Sequence, residues 1–183
     1  MPHIPPCLPA IAPKESVAVY EEFYRGMHFS APPNFIMTQG HAPNVARATW
    51  EAVRNILVGG IIPRWIKELM FVAISVDRQC MYCAAAHVAC CGMLDVNPEW
   101  TQATAQSNVD AISDPKLRDM IKFALKCSRS PQGLSPEDFS GLRAYGLQVA
   151  QIMEIIDMAA FAVYANIIAD ATAMASDDMF EKL

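Results

Sequence analysis

Apolar residues recur along the chain at intervals of three and four, and nowhere do they alternate for long with polar ones. The pattern is clearest near the C-terminus. Val149, Ile152, Met153, Ile156, Ala160, Val163 and Ile167 share one helical face, so a long helix is predicted from about Val149. Upstream, start and stop signals divide the chain into shorter helices. Glu15 to Tyr24 is one candidate, followed by a loop from His28 to Pro33. A second begins at Pro43, runs to about Leu57 and is stopped by Gly59-Gly60. Pro63 suits the first turn of a helix reaching about Val76. Asp77 is the predicted cap of the next, which ends near Gly92. Asn97-Pro98-Glu99 opens a short helix, and Asp114-Pro115 opens another through Cys127. Ser135-Pro136-Glu137-Asp138 places cap, proline and acids in the order a helix start requires, and that helix closes at Gly146. The predicted fold class is all-α. Residues 1–14, rich in proline, form an extended arm that could lie across a neighbouring subunit; 15–183 form one domain.

Composition narrows the class of protein. Hydrophobic residues make up 53% of the 183 and charged residues only 18%, an excess that predicts a covered subunit interface and hence a homo-oligomer. A net charge of -5 offers no basic footprint for nucleic acid. The apolar stretch from Met158 to Ala169 contains Asn166 and is too short to cross a bilayer, so no membrane partner is expected. The first residues carry no secretory signal, and six cysteines in such a chain are expected to be reduced thiols in the cytoplasm.

The chemistry concentrates in one stretch. Cys80, Cys83 and His87 stand three and four residues apart and line one helical stripe, with Glu68 on the preceding helix. Two thiols at this spacing can close a disulfide, an imidazole beside Cys83 can take its proton, and a helix start lowers the pKa of a nearby thiol. Packing as two small apolar residues is the plain alternative. Zinc competes for the same groups, but Cys80, Cys83, His87 and Cys90 or Cys91 all come from one helix, which cannot wrap a tetrahedral ion. A weak site completed by another subunit stays open, but no metal and no cofactor is the expectation. Glu68 lies among Trp65, Phe71 and Val72, where burial would raise its pKa and ready it as a base; the alternative is a solvated pair with Arg64. Tyr82, between the cysteines, either donates to a bound oxygen ligand or packs. Cys90 and Cys91 are expected to fill core, with a secondary redox role open for Cys91, and Cys7 and Cys127 receive no role. Asn166 and Asp170 are expected to cap or bond between helices. His28 and His41 sit in loops with structural roles, and the 11 methionines fill core.

Taken together, Glu68-x11-Cys80-x2-Cys83-x3-His87 resembles the signature of the alkylhydroperoxidase D-like, peroxidase-related branch of the carboxymuconolactone decarboxylase superfamily. The flanking Pro63-Arg64-Trp65-Ile66-Lys67-Glu68-Leu69 and the segment from Leu134 to Asp170 share the likeness. The resemblance implies an all-α homo-oligomer, a trimer or a multiple of one, with Cys80 and Cys83 as redox cysteines. It gives His87 and Glu68 the proton relay, a hydroperoxide as substrate, and an external dithiol or lipoyl/thioredoxin-like protein as reductant. One departure stands out: Tyr82 replaces a second histidine of the mycobacterial peroxidase type. Cys83 is the expected attacker because His87 is one turn away, although the helix dipole favours Cys80. A thiol–disulfide oxidoreductase, a decarboxylase or lactone-type enzyme using His87 and Glu68 without thiols, and a non-catalytic binding protein are the rival readings.

Overall fold

The apolar run 69–74 forms the middle of the molecule. In the computed structural model, which describes residues 1–181, it belongs to helix α4 (Arg64–Asp77), where Lys67 through Ser75 are all buried. A helix apolar on most sides must be covered on most sides. Four helices do so: α5 (Met81–Met93), α6 (Pro98–Ala105), α7 (Pro115–Arg129) and α9 (Val149–Ala171). Cover on one flank comes from α5, whose Ala84, Ala86 and Ala89 allow close approach. From the other, α9 inserts Ile152, Ile155, Met158, Ala162 and Ala165. This last helix is long and apolar enough to cross a membrane, but its inner face is core, which accounts for its composition.

Around this centre lie α1 (Lys14–Met27), α2 (Asn34–Gln39), α3 (Pro43–Ala52), α8 (Pro136–Ala144) and the short α10 (Asp178–Glu181); the described residues contain no strand. Three of the predicted helix starts are capped as expected. Asn97 accepts from the Glu99 N–H at 2.8 Å, Asp114 from Leu117 at 3.0 Å, and Ser135 and Asp138 close a reciprocal box. Each such cap is worth about 1 kcal/mol. Helix α2 was not foreseen, because six residues inside a proline-flanked loop carry no readable period.

Two details position the site. Helix α3 continues into a π-helical turn, Val53–Val58, that turns Val53 and Leu57 inward. The turn ends at Gly59-Gly60, held by the Glu154 carboxylate, which accepts from the Ile61 and Ile62 N–H groups at 2.6 and 3.0 Å. Gly60 has φ +99, and a Cβ there would lie 2.5 Å from that carboxylate, so only glycine fits. The buried Lys67 ammonium spans the same turn, donating to the carbonyls of Ile56 and Gly59 and pairing with Glu154. The N-terminal arm lies on its own chain: His3 N–H donates to Thr172 O, and Cys7 N–H to Met37 O, at 2.8 and 3.0 Å. Tyr20 fixes it by donating to Cys7 O.

Candidate active site

The turn between α4 and α5 passes through Gln79 in the left-handed region (φ 60) and delivers Cys80, not Asp77, as the capping residue of α5. Asp77 ends α4 instead and is taken up by Arg129, whose Nε lies 2.8 Å from its carboxylate. The expected cap is thus corrected by an ion pair that sequence spacing could not show. Cys80 is fully buried, and its thiol points to the backbone carbonyl of Asn166 on α9 at 3.9 Å. Cys83 lies one turn on, 2% exposed, and both sulfurs are free thiols. The hydrogen bond with Cys80, and then burial, push the Cys83 thiol well up.

His87 follows one turn after Cys83. Its ring stacks on Phe71, with centroids 3.5 Å apart and planes 15° from parallel. Its Nδ1 lies 2.5 Å from Glu68 Oε2, while Arg64 Nε donates to Glu68 Oε1 at 2.8 Å. Glu68 is completely buried. Burial alone would raise its carboxyl, but the charges and hydrogen bonds of His87 and Arg64 outweigh burial, and its pKa is lowered. This corrects the expectation of a raised, base-like glutamate. Glu68 is an anchored anion that holds the His87 ring by Nδ1 and leaves Nε2 as the nitrogen without that partner. The pairing with Arg64 is present, but buried rather than solvated.

Tyr82 is corrected too. Its hydroxyl donates to Asp177 at 2.7 Å and accepts from the Phe35 N–H at 3.1 Å, so no donor remains for a bound oxygen. Asn166 bridges helices as expected, its amide donating to Ser75 Oγ at 2.9 Å, while its Oδ1 has no partner. The same side chain bears on Cys83, drawing its thiol down against the stronger upward causes. That contact was not anticipated, since nothing in the spacing ties position 166 to position 83.

Cys90 lies nearer the centre than expected. Its sulfur, a Glu68 oxygen and a His87 nitrogen all fall within 4.8 Å of one another. A metal does not fit there. The 2.5 Å hydrogen bond between His87 and Glu68 leaves no room for an ion between them, and Arg64 holds the other carboxylate oxygen. Burial, and then the charge of Glu68, push the Cys90 thiol well up and that of Cys91 up to about 12. Cys127, half-buried, is raised to about 11.

Cys83, His87 and Cys90 open onto a cleft of about 490 Å³, its mouth included. The other walls are carbon: Phe23, Phe35, Leu57, Phe71, Phe161 and Phe180 among them. Cys80 does not reach it. The structure therefore brings Glu68, Cys80, Cys83 and His87 into one constellation beside an apolar pocket.

Solved structures with this architecture cover nearly the whole chain. An alkylhydroperoxidase AhpD core, an uncharacterized peroxidase-related protein from Ralstonia eutropha JMP134, is 27% identical, with a TM-score of 0.87 over 98% of this chain and 94% of its own. An uncharacterized peroxidase-related protein from Silicibacter sp. TM1040 is 23% identical, with a TM-score of 0.85 over 96% and 94%. The debrominase Bmp8 is 24% identical, with a TM-score of 0.80 over 98% and 94%. No family model and no curated protein matches the sequence. In fold, and in the spacing of Glu68, Cys80, Cys83 and His87, the chain is similar to alkylhydroperoxidase D-like, peroxidase-related proteins.

Proposed function

We propose that the protein is a thiol-dependent peroxidase that reduces hydroperoxides through a Cys80–Cys83 dithiol cycle. One observation carries this reading: Cys83 opens onto an apolar pocket one turn from His87, whose Nδ1 is tied to the buried Glu68 anion. His87 Nε2 removes the Cys83 proton, through a water or by a small side-chain rotation. The thiolate attacks the distal oxygen of the hydroperoxide, the O–O bond breaks, and the alkoxide takes a proton to leave as an alcohol. Cys83 becomes a sulfenic acid. Cys80 displaces its hydroxyl, releasing water and closing the disulfide, which an external dithiol or lipoyl/thioredoxin-like protein reduces by exchange. Cys83 is the attacker because Cys80 is sealed behind it against α9. The exposed apolar residues of α9, Val149, Met153 and Ile167, support self-association.

A second reading has support in the ring of phenylalanines. The debrominase Bmp8 shares this fold, and a variant of it has been solved with 2,3,4-tribromopyrrole. The same dithiol could reduce an aromatic carbon–bromine bond to carbon–hydrogen, forming the disulfide and releasing bromide and a proton. Peroxide consumption and bromide release, measured with a small dithiol and repeated with Cys83→Ser, test both. Peroxide turnover abolished by Cys83→Ser supports the first reading; bromide release without peroxide turnover replaces it with the second.

A further inference from the structure

Both sulfurs of the dithiol are buried, yet any disulfide cycle needs an incoming nucleophile to reach one of them in line with the S–S bond. The pocket is the route to Cys83, and one of its walls comes from the far end of the chain. Beyond α9 the backbone returns across α5, and Asp177 is 7% exposed beneath it. Its carboxylate accepts from the Tyr82 hydroxyl at 2.7 Å and from the Asn34 N–H at 2.9 Å. The Asn34 amide in turn donates to the carbonyls of Ala175 and Ser176 at 3.1 and 3.4 Å. Three residues on, Phe180 lines the pocket and meets Phe29 edge-on, centroids 5.4 Å apart.

The segment is therefore clipped through Asp177 and Asn34 at one end and held by the packing of Phe180 at the other. Its helix, α10, has only four residues and no stability of its own. A buried carboxylate is costly, and here two hydrogen bonds offset the cost with little to spare. Consistent with that balance, burial leaves the Asp177 carboxyl raised despite its partners. The clip also sits on the residue between the two cysteines, so the latch and the dithiol share one helical turn.

We infer that the C-terminal segment 175–180 is a specificity-determining cap over the dithiol pocket, with Asp177 holding it closed and Phe180 limiting the size of the hydroperoxide or thiol that reaches Cys83. Only the role of Cys83 as the reacting thiol rests on the proposed function. With the cap docked, small molecules enter. A protein-sized reductant engages the disulfide only when the Tyr82–Asp177–Asn34 clip releases.

The test compares the rate at which Cys83 of the reduced full-length protein is modified by iodoacetamide and by a polyethylene-glycol maleimide, each mapped by mass spectrometry. Asp177→Ala should speed the bulky reagent by about tenfold relative to the small one, the effect of losing charge-assisted hydrogen bonds. Phe180→Ala, which leaves the clip intact, should shift the same ratio in the same direction by less. Helical circular dichroism and a melting curve check that each variant folds; where Asp177→Ala does not, Tyr82→Phe replaces it. An unchanged ratio in the folded variants overturns the cap, as does equal acceleration of both reagents. Labelling needs no peroxide, so this result stands apart from whether the protein turns hydroperoxides over.

Discussion

Helix α5 carries a pair of cysteines at each end, and burial does not tell them apart. Cys80 and Cys83 are 0% and 2% exposed, Cys90 and Cys91 2% and 0%. The difference lies in spacing and in what one carboxylate does to each pair. Three residues along a helix bring two sulfurs onto one face, whereas adjacent residues project about 100° apart and cannot form an unstrained bridge. Glu68 then acts in two directions. It holds His87 by Nδ1, one turn from Cys83, and after burial its charge pushes the Cys90 and Cys91 thiols up. In the proposed cycle, that single buried anion supports the reacting pair and quiets the other. Cys83 also has a raised pKa, caused first by the hydrogen bond with Cys80 and then by burial.

The largest expected effect breaks the reactive pair. Cys83→Ser should lower peroxide turnover by about 10³-fold or more, because the nucleophile itself is gone. Cys80→Ser should permit one turnover and then stop at a sulfenic acid on Cys83 that a dimedone-type reagent traps.

Next comes the carboxylate that divides the two pairs. Glu68→Gln should slow alkylation of Cys83 near neutral pH by about tenfold, while alkylation of Cys90 and Cys91 speeds up. Opposite signs in one variant are the signature of the proposed division; parallel changes would mean only general loosening. His87→Ala should slow Cys83 equally, and the double variant should lose little beyond the worse single one, since the two act as a unit.

A smaller effect concerns acid stability. The folded-state pKa of Glu68 lies below its unfolded value, so its contribution is fully present above the ordinary carboxylate range and is lost as pH falls through the folded pKa. The melting temperature of the wild type should therefore drop across that acid window, and that of Glu68→Gln should drop less steeply. The smallest effect is expected at the quiet end. Cys91→Ala should cost about 1 kcal/mol of stability and leave peroxide turnover within about twofold.

How much of this was legible beforehand follows the range of the interactions. The helices of 43–171 announced themselves through proline starts, caps and a 3.6-residue period, all local signals. Glu68, Cys80, Cys83 and His87 were legible for the same reason, because one helix and its predecessor carry them. What stayed hidden is long-range. Asp177 meets Tyr82 and Phe180 meets Phe29 across most of the chain, with no period to reveal either. The direction of the Glu68 shift was misread because burial was visible in the pattern, while the double hold of His87 and Arg64 needed coordinates. For the same reason the sequence leaves Tyr82 open between donating to a bound oxygen and packing, and only the contact with Asp177 decides against the first.

The central claim is that one end of α5 is redox-active and the other is not. The most direct measurement adds one equivalent of an organic hydroperoxide to the fully reduced protein, then denatures it and assigns all six cysteines by differential alkylation and mass spectrometry. Cys80 and Cys83 alone should be lost to alkylation, joined by a disulfide that dithiothreitol reverses. Loss of Cys90 or Cys91 ahead of that pair would contradict the account.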